Sequence, residues 1–190
     1  SVNTHILIRL VVHTLTHTPN LFAVPLKEGG QAPDHYAFFR LNKPPTPHIV
    51  SPTTSGTGSE VTNAAVVKNP ELGRKIYLYD NLLFPNVAIL DPSMTVGLPV
   101  GLTVGTAMDA LTHAVDALMS NRSNLICDAL AIQAIRLIAR HLPTAVKQGS
   151  NIEARSGLQV AATAAGMAIA VAGVCLSHAM AHTVGALHGV

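Results

Sequence analysis

Two pairs of polar residues share one spacing. Asp109 and His113 stand four apart in the run DALTH, and His178 and His182 stand four apart in the run HAMAH. Residues four apart lie on one face of an α-helix, so each pair aims two polar heads at one point. Carboxylate and imidazole are ligands suited to Fe(II), Zn(II) or Mn(II). The chain holds only ten Asp and Glu in 190 residues. Two such pairs in so acid-poor a chain suggest a divalent metal held between two helices, and with it an enzyme. The competing readings are a hydrogen-bonded core histidine for His113 and a polar stripe on a solvent-facing last helix for His178 and His182. Asp109 favours the metal, because an unpaired carboxylate on a buried face is costly. The Ala, Met, Val and Leu around the second pair argue against a solvent stripe.

A second constellation is the hydroxyl-rich loop from Pro52 to Thr62, PTTSGTGSEVT. Thr53, Thr54, Thr57, Ser59 and Thr62 surround Gly56 and Gly58. Glycines let a backbone approach a ligand closely, and hydroxyls donate in several orientations. The loop suits a nucleotide cradle, and equally an ordinary turn after a strand. It is neither a P-loop nor a GxGxxG fingerprint.

The elements that must position these residues change character along the chain. Residues 1–30 show no clear period, and residues 25–47 read as loop, with five prolines. Strands are predicted over His48–Ser51, Val61–Val67, Ile76–Tyr79 and Val87–Leu90. After Pro99 the pattern becomes helical. One helix over Leu102–Met119 carries Asp109 and His113, and a second covers Leu125–His141. A capping box, Ser150 to Glu153, opens a third that runs to about Val171. Gly173 breaks it, and a last helix starts near Ser177. The switch near residue 92 predicts a boundary between residues 1–92 and residues 93–190.

Composition narrows the function classes. Charged residues are 12% and aromatics 4%, with a net charge of +2. Scattered Lys and Arg make neither a basic patch nor a stacking platform, so no nucleic-acid partner is expected. Cys127 and Cys175 form no CxxC and read as buried free thiols, which fits a reducing cytoplasm. From Gly157 to Val190 there is no Asp, Glu, Lys or Arg. Leu158–Leu176 is long enough to cross a bilayer. Its Ala-rich content, with Gln159 and Thr163 inside, reads instead as a buried helix, so no membrane is expected.

Taken in order, these motifs resemble the iron-containing (group III) alcohol dehydrogenases, a superfamily that also holds glycerol dehydrogenase. Residues 52–62 look like that family's cofactor loop. Ile89–Pro92 and Gly97–Pro99 match its linker, residues 108–115 its first metal helix, and Ala165–Met167 followed by His178–His182 its second. The likeness covers about residues 47–190. It implies an α/β remnant of a dinucleotide-binding domain over residues 1–92, plus an all-α metal-binding domain over 93–190, in the dehydroquinate synthase-like architecture. It implies Asp109, His113 and His178 as metal ligands, with His182 a catalytic neighbour of metal and nicotinamide. It implies Thr53, Thr54, Gly56, Thr57, Thr62 and Lys75 as contacts of NAD or NADP. The metal implied is Fe(II), with Zn(II) as a substitute. The substrate implied is a small alcohol or aldehyde, and a homodimer is the implied assembly.

The departures are informative. The family's Gly-Gly-Gly-Ser pyrophosphate loop is not recognisable upstream; Gly29-Gly30 lies too near the threonine loop and lacks the Ser. The family's last ligand, the His of a Pro-His-Gly, would fall near position 192. His188-Gly189 imitates it four residues early without the Pro, so His188 reads as a near-site residue. Asp116 stands where Glu is usual. These departures predict a chain incomplete at both ends, whose alternative to an active oxidoreductase is a catalytically inactive, truncated piece of one.

Overall fold

The computed structural model describes residues 9–13, 41, 45, 47–69 and 74–188. Among the described residues five strands precede residue 90: β1 (Arg9–His13), β2 (His48–Pro52), β3 (Ala64–Asn69), β4 (Arg74–Tyr79) and β5 (Val87–Ala88). β1, β2 and β5 form a parallel sheet with β2 in the middle, while β3 and β4 pair as an antiparallel hairpin. Four helices follow: α1 (Val100–Met119), α2 (Leu125–Lys147), α3 (Ile152–Ala172) and α4 (Leu176–His188). An α/β part thus leads into an all-helical part, in the order expected from the sequence.

The local differences from expectation have physical causes. β1 was not foreseen, because the partner that makes its short apolar run a strand is β2, at a distance in sequence. Val61 ends a 3-10 turn over Ser59–Val61, and β3 starts only at Ala64. The third helix is capped by Asn151, whose side chain accepts from the Ala154 N–H at 2.9 Å. It is not capped by Ser150, although both are good capping residues. α2 runs on through Pro143 to Lys147 rather than stopping at His141. Proline forfeits one helical bond, but Ala145 beyond it is buried in the core, and packing outweighs the local preference.

The helical core is built from alanine. Ala131 and Ala134 of α2 and Ala161, Ala162, Ala165 and Ala168 of α3 are buried together with Ile138 and Leu158. Small side chains let the helix axes come close, and α3 is covered from several sides. Its polar residues explain why. Gln159 Nε2 donates to the carbonyls of Pro52 (3.2 Å) and Asp91 (3.4 Å), and the Thr163 hydroxyl donates to Glu60 Oε1 (2.7 Å). α3 is the post against which the threonine loop docks. No single helix among the described residues is long and apolar enough to cross a membrane.

Glycines make that docking possible. Gly58 has φ 62°, and a Cβ there would lie 2.6 Å from Gly166 Cα. A Cβ at Gly166 would lie 2.8 Å from Gly58 Cα and 2.9 Å from its carbonyl oxygen. In an open helix position, alanine in place of glycine adds about 0.5–1 kcal/mol of stability. Gly105 of α1 is such a position, with no heavy atom within 4 Å of an added Cβ. Gly105→Ala should therefore stabilise the protein. Gly166→Ala should destabilise it by about 1–3 kcal/mol, since backbone must move to admit the methyl. Denaturant midpoints shifting in the same direction for both variants would contradict this packing.

Candidate metal centre

Asp109 and His113 lie on one face of α1, and His178 lies in the first turn of α4. The two helices bring three donors together. The Nε2 atoms of His113 and His178 stand 3.8 and 3.5 Å from the same Asp109 Oδ1. The two rings are stacked, with centroids 4.5 Å apart and planes 11° from parallel. One ligand atom from each residue lies within 4.8 Å of the others. These separations are long for hydrogen bonds. They suit a shared cation: tetrahedral ligands about 2.0–2.2 Å from a metal stand about 3.4 Å apart. The donor set, one carboxylate and two imidazoles, fits Fe(II) or Zn(II).

The surroundings polarise the three groups differently. Burial pushes the His113 imidazole below its usual pKa, partly opposed by Asp109, which favours the neutral ring a metal needs. Burial acts in the same sense on His178, but the carboxylates of Asp109 and Asp116 on either side of its ring outweigh it and raise the pKa. Asp116 is buried yet held below the ordinary carboxylate range. Its own desolvation is outweighed by donors from Ser177, the Cys175 N–H and His178.

His182 follows one turn after His178, its ring centroid 6.2 Å away and tilted by 52°. It stands outside the three-residue cluster but shares a cavity of about 390 Å³ with His113 and His178. Thr62, Tyr79 and Ile169 also line that cavity, so the end of the threonine loop meets the three histidines there. Thr53, Thr54, Gly56 and Thr57 are not among its lining residues. Thr53, which follows β2 directly, is buried, and the Thr57 hydroxyl is engaged locally with Ser59, at 3.2 Å to Oγ and 3.3 Å to the N–H. Gly56 packs on α1, where a Cβ would meet Thr106 at 2.8 Å. Lys75 lies on β4, paired in register with Lys68. His188 ends α4 and is exposed.

Three residues that build or brace the site have no role assigned to them in the sequence reading. Asp116 is one; its position three after His113 and seven after Asp109 puts it on the same helical face, a signal that was readable. Glu60 is another, at only 3% exposure beneath the loop. Arg155 is the third and gave no signal.

Glu60 makes a pH prediction. Burial raises its pKa above the ordinary 4.5, against the lowering effect of the Thr163 hydroxyl. The folded chain thus keeps a proton that the unfolded chain releases earlier. This contribution to stability is complete below pH 4.5 and is lost as pH rises towards the folded-state value. Glu60→Gln keeps the shape and an acceptor for Thr163 but cannot ionise. Its unfolding free energy should fall less than that of the parent between about pH 4 and about pH 8. Parallel pH profiles would show that Glu60 ionises without penalty.

Comparison with known proteins places this geometry. The profile of the Fe-containing alcohol dehydrogenase family, C-terminal part, matches residues 103–190, and that of iron-containing alcohol dehydrogenase matches residues 19–92. The 1-propanol dehydrogenase PduQ of Salmonella typhimurium is 47% identical over 137 residues, 72% of this chain and 37% of that protein. The NAD-dependent methanol dehydrogenase of Bacillus methanolicus is 40% identical over 160 residues, 84% of this chain and 42% of that protein. The crystal structure of sulfoacetaldehyde reductase from Bifidobacterium kashiwanohense in complex with NAD+ superposes with a TM-score of 0.84 at 32% identity. That match covers 95% of this chain and 50% of the other. The chain spans about two fifths of the length of these two curated relatives.

Proposed function

The chain belongs to the iron-containing alcohol dehydrogenase family, and from that premise we propose that it serves a metal-dependent oxidoreductase passing hydride between NAD(P) and a small alcohol or aldehyde. The observation that carries this reading is the convergence of Asp109, His113 and His178 beside a cavity that Thr62 also lines. Residues 1–92 would contribute part of the dinucleotide-binding domain and residues 93–190 part of the helical metal-binding domain. NAD is favoured as cofactor by the relative named for it and by the neighbour solved with it.

Asp109, His113 and His178 would hold Fe(II), with Zn(II) able to replace it. The metal, when bound, supplies Lewis acidity to the substrate oxygen. His182, in the same cavity but outside the ligand cluster, would take the alcohol's proton on a ring nitrogen during oxidation and return it during reduction. The apolar wall of Ile169, Ala170 and Val174 offers no charge to a substrate, which suits small neutral molecules. Thr62 at the cavity edge and Thr53, Thr54, Gly56, Thr57 and Lys75 beyond it would place the cofactor so that its reacting carbon meets the substrate's.

The test is direct. Protein loaded anaerobically with Fe(II) is mixed with 1-propanol and NAD+ or NADP+, and NAD(P)H formation is followed by absorbance. Turnover that disappears on chelation and returns with metal is expected. Metal-loaded protein that neither turns over nor binds either dinucleotide would overturn the reading.

A further inference from the structure

We infer that Asp116 is a positioning residue that fixes the ring of His178 with Nδ1 as the N–H and Nε2 free to ligate. The inference rests on the metal reading above. An imidazole offers a lone pair from one nitrogen only when its hydrogen is on the other, so something must choose. Here Nδ1 of His178 lies 2.7 Å from Asp116 Oδ2, while Nε2 faces Asp109 Oδ1 at 3.5 Å. Asp116 accepts every other contact it makes. The Cys175 N–H donates to Oδ2 at 2.9 Å, and the Ser177 hydroxyl lies 2.6 and 2.8 Å from the two oxygens. A carboxylate so surrounded by donors has only acceptor capacity to offer the ring. The hydrogen is therefore placed on Nδ1, and the lone pair of Nε2 points at the cluster.

The carboxylate also sets where the ring stands. Asp116 belongs to α1, the helix that carries Asp109 and His113. It grips the start of α4 at three successive points, Cys175, Ser177 and His178. Ligands from two helices are thereby held in one frame by a residue that is not itself in the ligand cluster. Partners of this kind commonly change metal affinity 10–100-fold. The rival account is a plain anchor: a carboxylate that satisfies the first turn of α4 and does nothing for the ring. Ser177→Ala separates the two, because it removes an anchoring contact and leaves the ring contact in place.

The experiment is Co(II) titration of the full chain, read by its visible absorption, for the parent, Asp116→Asn, Asp116→Glu and Ser177→Ala. The expected result is a 10–100-fold loss of affinity with an altered spectrum for Asp116→Asn. Asp116→Glu, which keeps the carboxylate, should recover part of the loss. Ser177→Ala should bind within about threefold of the parent, since only the anchor is touched. Asp116→Asn binding within about threefold of the parent, or Ser177→Ala losing as much, overturns the proposal. A second measurement needs no variant of Asp116: nitrogen NMR of the Zn(II)-bound parent, with His178 assigned by its loss in His178→Gln, should show the hydrogen on Nδ1. Finding it on Nε2 also overturns the proposal. A parent that binds no Co(II), or whose Asp109→Ala variant binds equally well, defeats the metal reading itself and this inference with it.

Discussion

Asp109→Ala should abolish tight metal binding and, with it, the proposed alcohol-dependent NAD(P)H formation. Asp109 is the only carboxylate in the cluster, and both imidazole Nε2 atoms face one of its oxygens. Metal-site free energies of about 10–16 kcal/mol spread over four ligands come to roughly 2.5–4 kcal/mol each. Losing one such ligand weakens binding by roughly a hundredfold or more, since about 1.4 kcal/mol is a factor of ten. The charge makes Asp109 the more valuable of the three to a divalent ion. Its side chain is 37% exposed, so the variant should fold. Metal content after gel filtration, together with an unchanged far-UV spectrum, checks the result. Full metal occupancy and full turnover in Asp109→Ala would remove this residue from the site.

Arg155→Ala produces the largest loss of stability. Arg155 is 2% exposed and heads the fully buried large side chains. Its guanidinium donates to the Thr103 hydroxyl (2.7 Å) and to the carbonyls of Gly149 (2.7 Å) and Leu98 (3.1 Å). One side chain of α3 thus holds the start of α1 and the turn before α3 itself. Each hydrogen bond to a charged donor contributes about 1.5–3 kcal/mol, so the set is worth about 4 kcal/mol or more. Truncation strands two carbonyls and leaves a void. For a chain of this size that loss lowers the melting temperature by about 8–16 °C. Arg155→Lys should recover little, because one ammonium lacks the planar fork that reaches three acceptors. A denaturant midpoint within about 1 kcal/mol of the parent would show that the bonds are formed equally well with water.

The two variants separate the site from its support. Asp109 is partly exposed, and its loss is expected to reach metal binding and not folding. Arg155 is buried and matters to folding, although it touches no ligand. In sequence both are single charged residues in helical text. The difference between them is burial, which no local pattern reports.

Particular residues show where reading along the chain succeeds. The i, i+4 pairs survive in three dimensions because helical geometry is local: once α1 and α4 form, Asp109 faces the side of His113 and His178 that of His182. The strand-to-helix switch is equally local. The threonine loop is legible as a loop, but its glycines read along the chain only as ligand approach or as an ordinary turn. In the structure Gly56 sits against Thr106 and Gly58 against Gly166. The Ala-Gly-Met at residues 165–167 is likewise explained by that contact, not by its own helix. Asp116 was noticed only as a departure from the expected Glu, and its hold on His178 became visible when α4 was placed beside α1.

By itself the sequence determined the helices, the loop, the two chemical pairs and the family whose order of motifs they follow. All of these depend on neighbours within a few residues. The tertiary structure alone decided which partners meet across the chain. It brought His178 to Asp109 across 69 positions, turned Arg155 inward, and seated the loop on α3 through two glycines without side chains to obstruct it. The physical reason is that such contacts are chosen by close packing and by the need to satisfy buried polar groups, and both are properties of the assembled interior.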